Sequence, residues 1–236
     1  MIQAVLLSLA AQAMILPYAP DDKGTPTEAR QVLGDFMRCV VKKHPTDASA
    51  VVLSNDFDDS IVRSPKLLTP DCLAAGRLKI PDDEFVRYGL AEALIRREYA
   101  QGVPTDIKQA APLAHPLIDG ARIGPELPAR LSRKERAALE QRQVAAANAA
   151  RVMSQYGECV ARWDPQGALR LVLTEPSSAP ESAAFGALMA PLSNCLPAET
   201  TLKVDKAQLR GSIALNLYRL AKGPRVPSPA QPQAGK

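Results

Sequence analysis

Residues 39–53 read CVVKKHPTDASAVVL, and residues 159–173 read CVARWDPQGALRLVL. Both stretches open on Cys-Val, carry a proline six positions later and an alanine three beyond it, and close on Val-Leu. Proline fixes its own φ and has no N–H to donate, so it suits the first turn of a helix and not the interior. The first stretch therefore reads as a helix ended by His44-Pro45 and a short helix capped by Asp47, and the second as the end of a helix and a new one beginning at Pro165. Asp164 supplies a capping carboxylate in the second stretch, where His44 stands in the first.

The correspondence extends outward. Cys72-Leu73 is matched by Cys195-Leu196, and Leu78-Lys79-Ile80 by Leu202-Lys203-Val204. Arg87, Ala91, Leu94 and Arg96 are matched by Arg210, Ala214, Leu217 and Arg219, with an offset of 120 residues in the first block and 123 in the last. The expectation is an all-α chain of two homologous, mainly four-helix repeats. Two copies are too few for a solenoid.

In the first copy, apolar spacing predicts a helix from Thr27 to Lys43 with Ala29, Val32, Leu33, Phe36 and Val40 on one face. A short helix follows from Asp47 through Leu53, and another short stretch ends near Thr69-Pro70. Leu78-Lys79-Ile80 is an extended connector, and the closing helix runs from Asp82 to about Tyr99. In the second copy the same logic gives a long helix ending near Trp163, a helix from Pro165 to Thr174, one from Glu181 to Ala190, and a last helix capped by Asp205 and ending near Lys222.

This divides the chain into repeat 1 at 27–100, a Pro-rich linker at 101–131, repeat 2 at 132–222 with an N-terminal helix extension, and a tail at 223–236. The linker holds Pro104, Pro112, Pro116, Pro125 and Pro128 without periodicity. Ser132 and Glu135 form a capping-box motif, and the Ala-rich stretch after them is a strong helix former. The tail carries four prolines and no large apolar residue beyond Val226, so it is expected to be disordered.

All four cysteines belong to the repeated pattern. Four cysteines allow three connectivities, and the duplication favours Cys39 with Cys72 and Cys159 with Cys195, because each copy then carries the same bond. No close Cys-x-x-Cys pair occurs, so zinc is not expected, and no other metal or cofactor is called for. Ala4–Leu16 is an uncharged apolar run, and Ala11-Gln12-Ala13 matches a cleavage pattern, so residues 1–13 read as a signal peptide. The run is too short to span a bilayer. Export to the periplasm or medium agrees with disulfides. With aromatics at only 4% the core must be built from Ala, Leu, Val and Ile, and a net charge of +4 is too mild to imply a nucleic-acid partner.

Arg87 and Arg210 are the leading candidate site residues. On a helical wheel Arg87 falls within the Val86, Leu90, Leu94 stripe, and Arg210 within the Leu209, Ile213, Leu217 stripe. An inward arginine must be paired, since an isolated buried charge is very costly. Each is read either as a structural clamp on helix-end carbonyls or as an anion-binding group. Arg96 and Arg219 fall on the opposite face and read as solvated. His44 and His115 lack any nucleophile-elbow motif around them, so no catalytic residue is assigned. Asp56-Phe57-Asp58-Asp59 lacks the glycine and distal glutamate of a calcium loop and reads as a solvated turn. Arg130–Arg142 holds five basic and two acidic residues, a face suited to anionic headgroups or an acidic partner.

The Cys-Val … Pro … Leu … Cys-Leu … Arg-x-x-x-Ala pattern, duplicated over residues 36–99 and 156–221, resembles a group of uncharacterised bacterial envelope or secreted proteins. The resemblance implies an exported helical protein and carries over no activity and no catalytic residue. The leading expectation is a non-enzymatic binding or structural role, with an envelope partner or small ligand in a groove between the copies and a linker that leaves them mobile. The alternatives are an exported hydrolase with its site between the repeats, and a regulatory protein that docks a partner through its Ala-rich helix.

Overall fold

In the computed structural model the described residues are 26–55, 64–73, 83–116, 131–196 and 204–224. The signal-peptide reading, the acidic turn at Asp56–Asp59, the connector Leu78–Ile80, much of the linker and nearly all of the tail lie outside them.

The described residues are all-α. Helix α1 (Pro26–Lys43) is followed by α2 (Pro45–Leu53), two single 3-10 turns (Pro65–Leu68 and Pro70–Cys72) and α3 (Asp83–Glu98). A further 3-10 turn, Ile107–Gln109, precedes α4 (Arg133–Trp163). Then come α5 (Pro165–Leu173), α6 (Ala179–Ala187), α7 (Met189–Asn194) and α8 (Lys206–Lys222). Local chemistry sets most of these ends. Ser132 and Glu135 make a full capping box on α4. The Asp164 carboxylate accepts from the Gly167 N–H, and the Asp205 carboxylate from the Ala207 N–H. The single helix expected over Glu181–Ala190 is instead two, α6 and α7, broken at Leu188. Pro191 sits in the first turn of α7, where its missing N–H does no harm.

Both expected disulfides are present. Cys39–Cys72 ties α1 to the second 3-10 turn, and Cys159–Cys195 ties α4 to the end of α7, with Cα separations of 5.6 and 5.8 Å. Each bond joins the long first helix of its half to the segment before the closing helix.

Helices α3 and α8 are the centre of the molecule. Helix α3 packs on α1 and α2, α8 packs on α4 and α5, and the two pack on each other. Across the middle, α3 also meets α5 and α8 meets α2. One contiguous core results, including Val40, Leu90, Leu94, Val160, Leu171, Ile213 and Leu217. Val103, Ile107 and Ala110 of the segment after α3 belong to the same core. The linker's first part is therefore packed, and the expectation of mobile halves does not hold for the described residues. Small residues permit the close crossings: a Cβ on Gly157 would lie 2.6 Å from the Ser212 carbonyl oxygen, and one on Gly211 would lie 2.5 Å from the Tyr88 ring.

Candidate functional site

Arg210 lies on α8 with no exposed surface. Its Nε donates to Glu92 at 2.9 Å, and its Nη1 to the Leu171 carbonyl, the Thr174 hydroxyl and Glu181 at 3.0, 2.9 and 3.0 Å. Its Nη2 donates to the carbonyls of Val172 and Thr174. The last carbonyls of α5 have no partner within that helix, and a planar fork of five donors fits them. Arg87, on α3 and equally buried, donates through Nη2 to the carbonyls of Val52 and Ser54 at the end of α2. Val52 and Ser54 correspond to Val172 and Thr174 under the sequence offset.

Arg219 is buried and Arg96 half-buried, so neither is the freely solvated side chain expected. Arg96 donates to the Thr174 carbonyl and pairs with Glu175 at 3.3 Å, and Arg219, 3% exposed, donates to Asn55 Oδ1 and the Ala114 carbonyl, both at 2.9 Å. Each reaches from the closing helix of its own half to the loop after the second helix of the other half. A helical wheel drawn for one core-facing stripe cannot see this, because α3 and α8 are each covered on several faces.

A shallow groove runs over α1 and α3, lined by Arg30, Arg38, Phe85, Tyr88, Glu92 and Arg96. Arg30 donates to Glu181 at 2.9 Å, and Arg38 pairs with Asp35. The four arginines of this region (30, 38, 96 and 210) face four carboxylates (Asp35, Glu92, Glu175 and Glu181). The charges cancel, and Arg210 has no donor facing solvent. Burial alone would push the Glu181 carboxyl up, but the Arg30 hydrogen bond, the Ser177 N–H and the charges of Arg30 and Arg210 hold it below the ordinary carboxylate range. Sequence reasoning missed Glu181 and Glu92. The signal for Glu181 was present as Ser178-Ala-Pro-Glu181, a helix-start motif, and the Glu181 N–H does donate to the Ser178 hydroxyl.

A second polar cluster lies where the segment after α3 crosses α4. His115 contacts the Ser154 hydroxyl through Nδ1 at 2.9 Å and Glu158 through Nε2 at 2.8 Å. Glu158 also takes bonds from Arg162 at 2.7 Å and from the Leu113 N–H at 3.3 Å. Arg162 fastens the same segment by donating to the carbonyls of Lys108, Ala110 and Ala111. Burial would raise the Glu158 carboxyl, but His115, Arg162 and the Leu113 N–H bring it below its usual value. The chain Ser154–His115–Glu158 has the residue types of a hydrolytic triad. Ser154 is only 3% exposed, so its hydroxyl is buried in this arrangement. His44 precedes α2 and makes no side-chain cap.

Among the described residues no group of three His, Cys, Asp or Glu side chains is placed to hold a metal ion. No described helix is long and apolar enough to cross a membrane. No protein-family model, curated protein or solved structure matches the chain.

Proposed function

We propose that this is an exported, disulfide-stapled helical protein with a non-enzymatic binding or structural role in the bacterial periplasm or envelope. The observation that carries the reading is the pair of disulfides, one per half and leaving no free cysteine, which suits an oxidising compartment. The inward-facing polar groups point the same way. Arg210 spends its fork on helix-end carbonyls and two carboxylates, and the Ser154 hydroxyl is sealed. Such groups give a rigid scaffold, not a reacting centre. Arg87 and Arg210 are accordingly assigned as structural clamps and not as anion receptors.

Duplication is part of the same proposal, and paired contacts support it. The Met37–Gly89 contact between α1 and α3 corresponds, under the sequence offsets, to the Gly157–Ser212 contact between α4 and α8. Arg96 with Glu175 corresponds to Arg219 with Asn55. Reciprocal pairs of this kind are the mark of a two-fold relation between equivalent units.

The test is intact mass and non-reducing peptide mapping of the protein recovered from its native cells. A chain lacking its amino terminus, with both bridges formed, is expected. A full-length chain with four free thiols would overturn the export reading. The hydrolase alternative is tested separately: covalent labelling of Ser154 by a fluorophosphonate would sink the non-enzymatic reading.

A further inference from the structure

Helix α4 is 31 residues long, yet burial begins only at Met153. The preceding stretch from Arg133 extends roughly 28 Å at the usual helical rise and is exposed or half-exposed throughout the residues described. It carries Arg133, Lys134, Arg136, Arg142 and Arg151 against Glu135 and Glu140. None of the five cations has an ion-pair partner among the described residues, and Glu135 is engaged in the helix cap. Two of the cations stand in the first turn, where they oppose the helix dipole instead of complementing it. A local rule broken without an internal gain is expected where function requires it.

We infer that this projecting half of α4 is a docking rod for an acidic protein helix. Ala138, Ala145, Ala146 and Ala149 fall on one arc and are exposed, so a partner helix can approach closely there. Lys134 borders that arc on one side, where the acidic side chains of a partner would meet it, and Arg142 lies within it. A second copy of this chain would bring the same excess positive charge to the contact and be repelled. An anionic membrane is disfavoured because the stretch has no aromatic residue and, besides alanine, only Leu139 and Val144 as apolar anchors before Val152.

The inference rests on the binding role proposed above and is tested separately from it. The oxidised full chain is titrated against a fluorescein-labelled Glu/Ala-rich helical peptide of about 20 residues, long enough to span the rod. Saturable binding that weakens with added salt is expected. Replacing Arg133, Lys134, Arg136 and Arg142 together by Gln should weaken it about tenfold or more, with circular dichroism and the urea midpoint unchanged, since Gln is a good helix former and the sites are exposed. Ala146→Glu, which places an acid on the approach arc, should weaken it as well. Peptide affinity indifferent to both variants overturns the proposal. So does binding to phosphatidylglycerol vesicles in place of the peptide, or doubling of the sedimentation mass that the four-Gln variant abolishes. In any of these cases an exported chain with both bridges leaves the broader binding reading standing, with its surface elsewhere.

Discussion

Replacing Arg210 by Met keeps the bulk of a long side chain and removes its charge and all its donors. The side chain is fully buried and holds two carboxylates and three carbonyls. Breaking a buried ion pair by deleting one partner costs about 3–5 kcal/mol, because the charge left behind is uncompensated. Here Glu181 keeps Arg30, the Leu171 carbonyl keeps the Thr174 hydroxyl and the Thr174 carbonyl keeps Arg96, which softens the loss, while the Val172 carbonyl loses its Arg210 donor, at about 1–3 kcal/mol if no water replaces it. A net loss of about 4 kcal/mol is expected. That is a large part of the roughly 5–15 kcal/mol that holds a typical folded chain. At about 2–4 °C per kcal/mol for a chain of this size, the melting midpoint should fall by roughly 8–16 °C. The assay is urea unfolding of the oxidised protein followed by circular dichroism, with Arg210→Lys expected to fall between wild type and Arg210→Met. A double-mutant cycle with Glu181→Gln should show coupling of about 1 kcal/mol or more. A loss for Arg210→Met below about 1 kcal/mol, the range of an exposed pair, would refute the clamp assignment.

Other outcomes follow from the same contacts. Both Glu158 and Glu181 have carboxyls held below their ordinary range. Their contribution to stability is therefore fully present above the unfolded-state value, about 4.3, and is lost as pH falls through the lower folded-state values. Urea midpoints measured from pH 7 down to pH 3 should drop in that acid window, and the drop should flatten in Glu181→Gln. Removing either bridge as Cys39→Ser with Cys72→Ser, or Cys159→Ser with Cys195→Ser, should cost about 3–4 kcal/mol, nearly equal because the loops span 33 and 36 residues. Chemical denaturation of each double variant measures this. Gly157→Ala should destabilise by about 1–3 kcal/mol, since the new methyl meets the Ser212 backbone. Gly186→Ala meets nothing within 4 Å and should stabilise α6 by up to about 1 kcal/mol. Opposite signs in the two melting midpoints check the pair.

What the sequence determined by itself was local or periodic. Pro165 marks a helix start because a proline ring dictates its own backbone wherever the chain goes, whereas Pro45 reads only as a helix end and α2 in fact starts there and not at Asp47. Asp164, Asp205 and the Ser132–Glu135 box mark helix ends because their partners lie within three residues. The cysteine pairing was legible because the same spacing occurs twice, and the inward face of Arg87 and Arg210 because it is shared with a leucine stripe. What only the tertiary structure decided depends on residues distant in sequence. It buried Arg219 against Asn55 and Ala114, brought His115 between Ser154 and Glu158, and set Glu92 and Glu181 around Arg210. It also left the first five turns of α4 exposed or half-exposed among the described residues. The physical reason is one and the same. Helix propensity and capping act over a few residues, whereas the partner of a charge, and whether a helix face is covered, are fixed only when α3 and α8 pack together and bring both halves into one core.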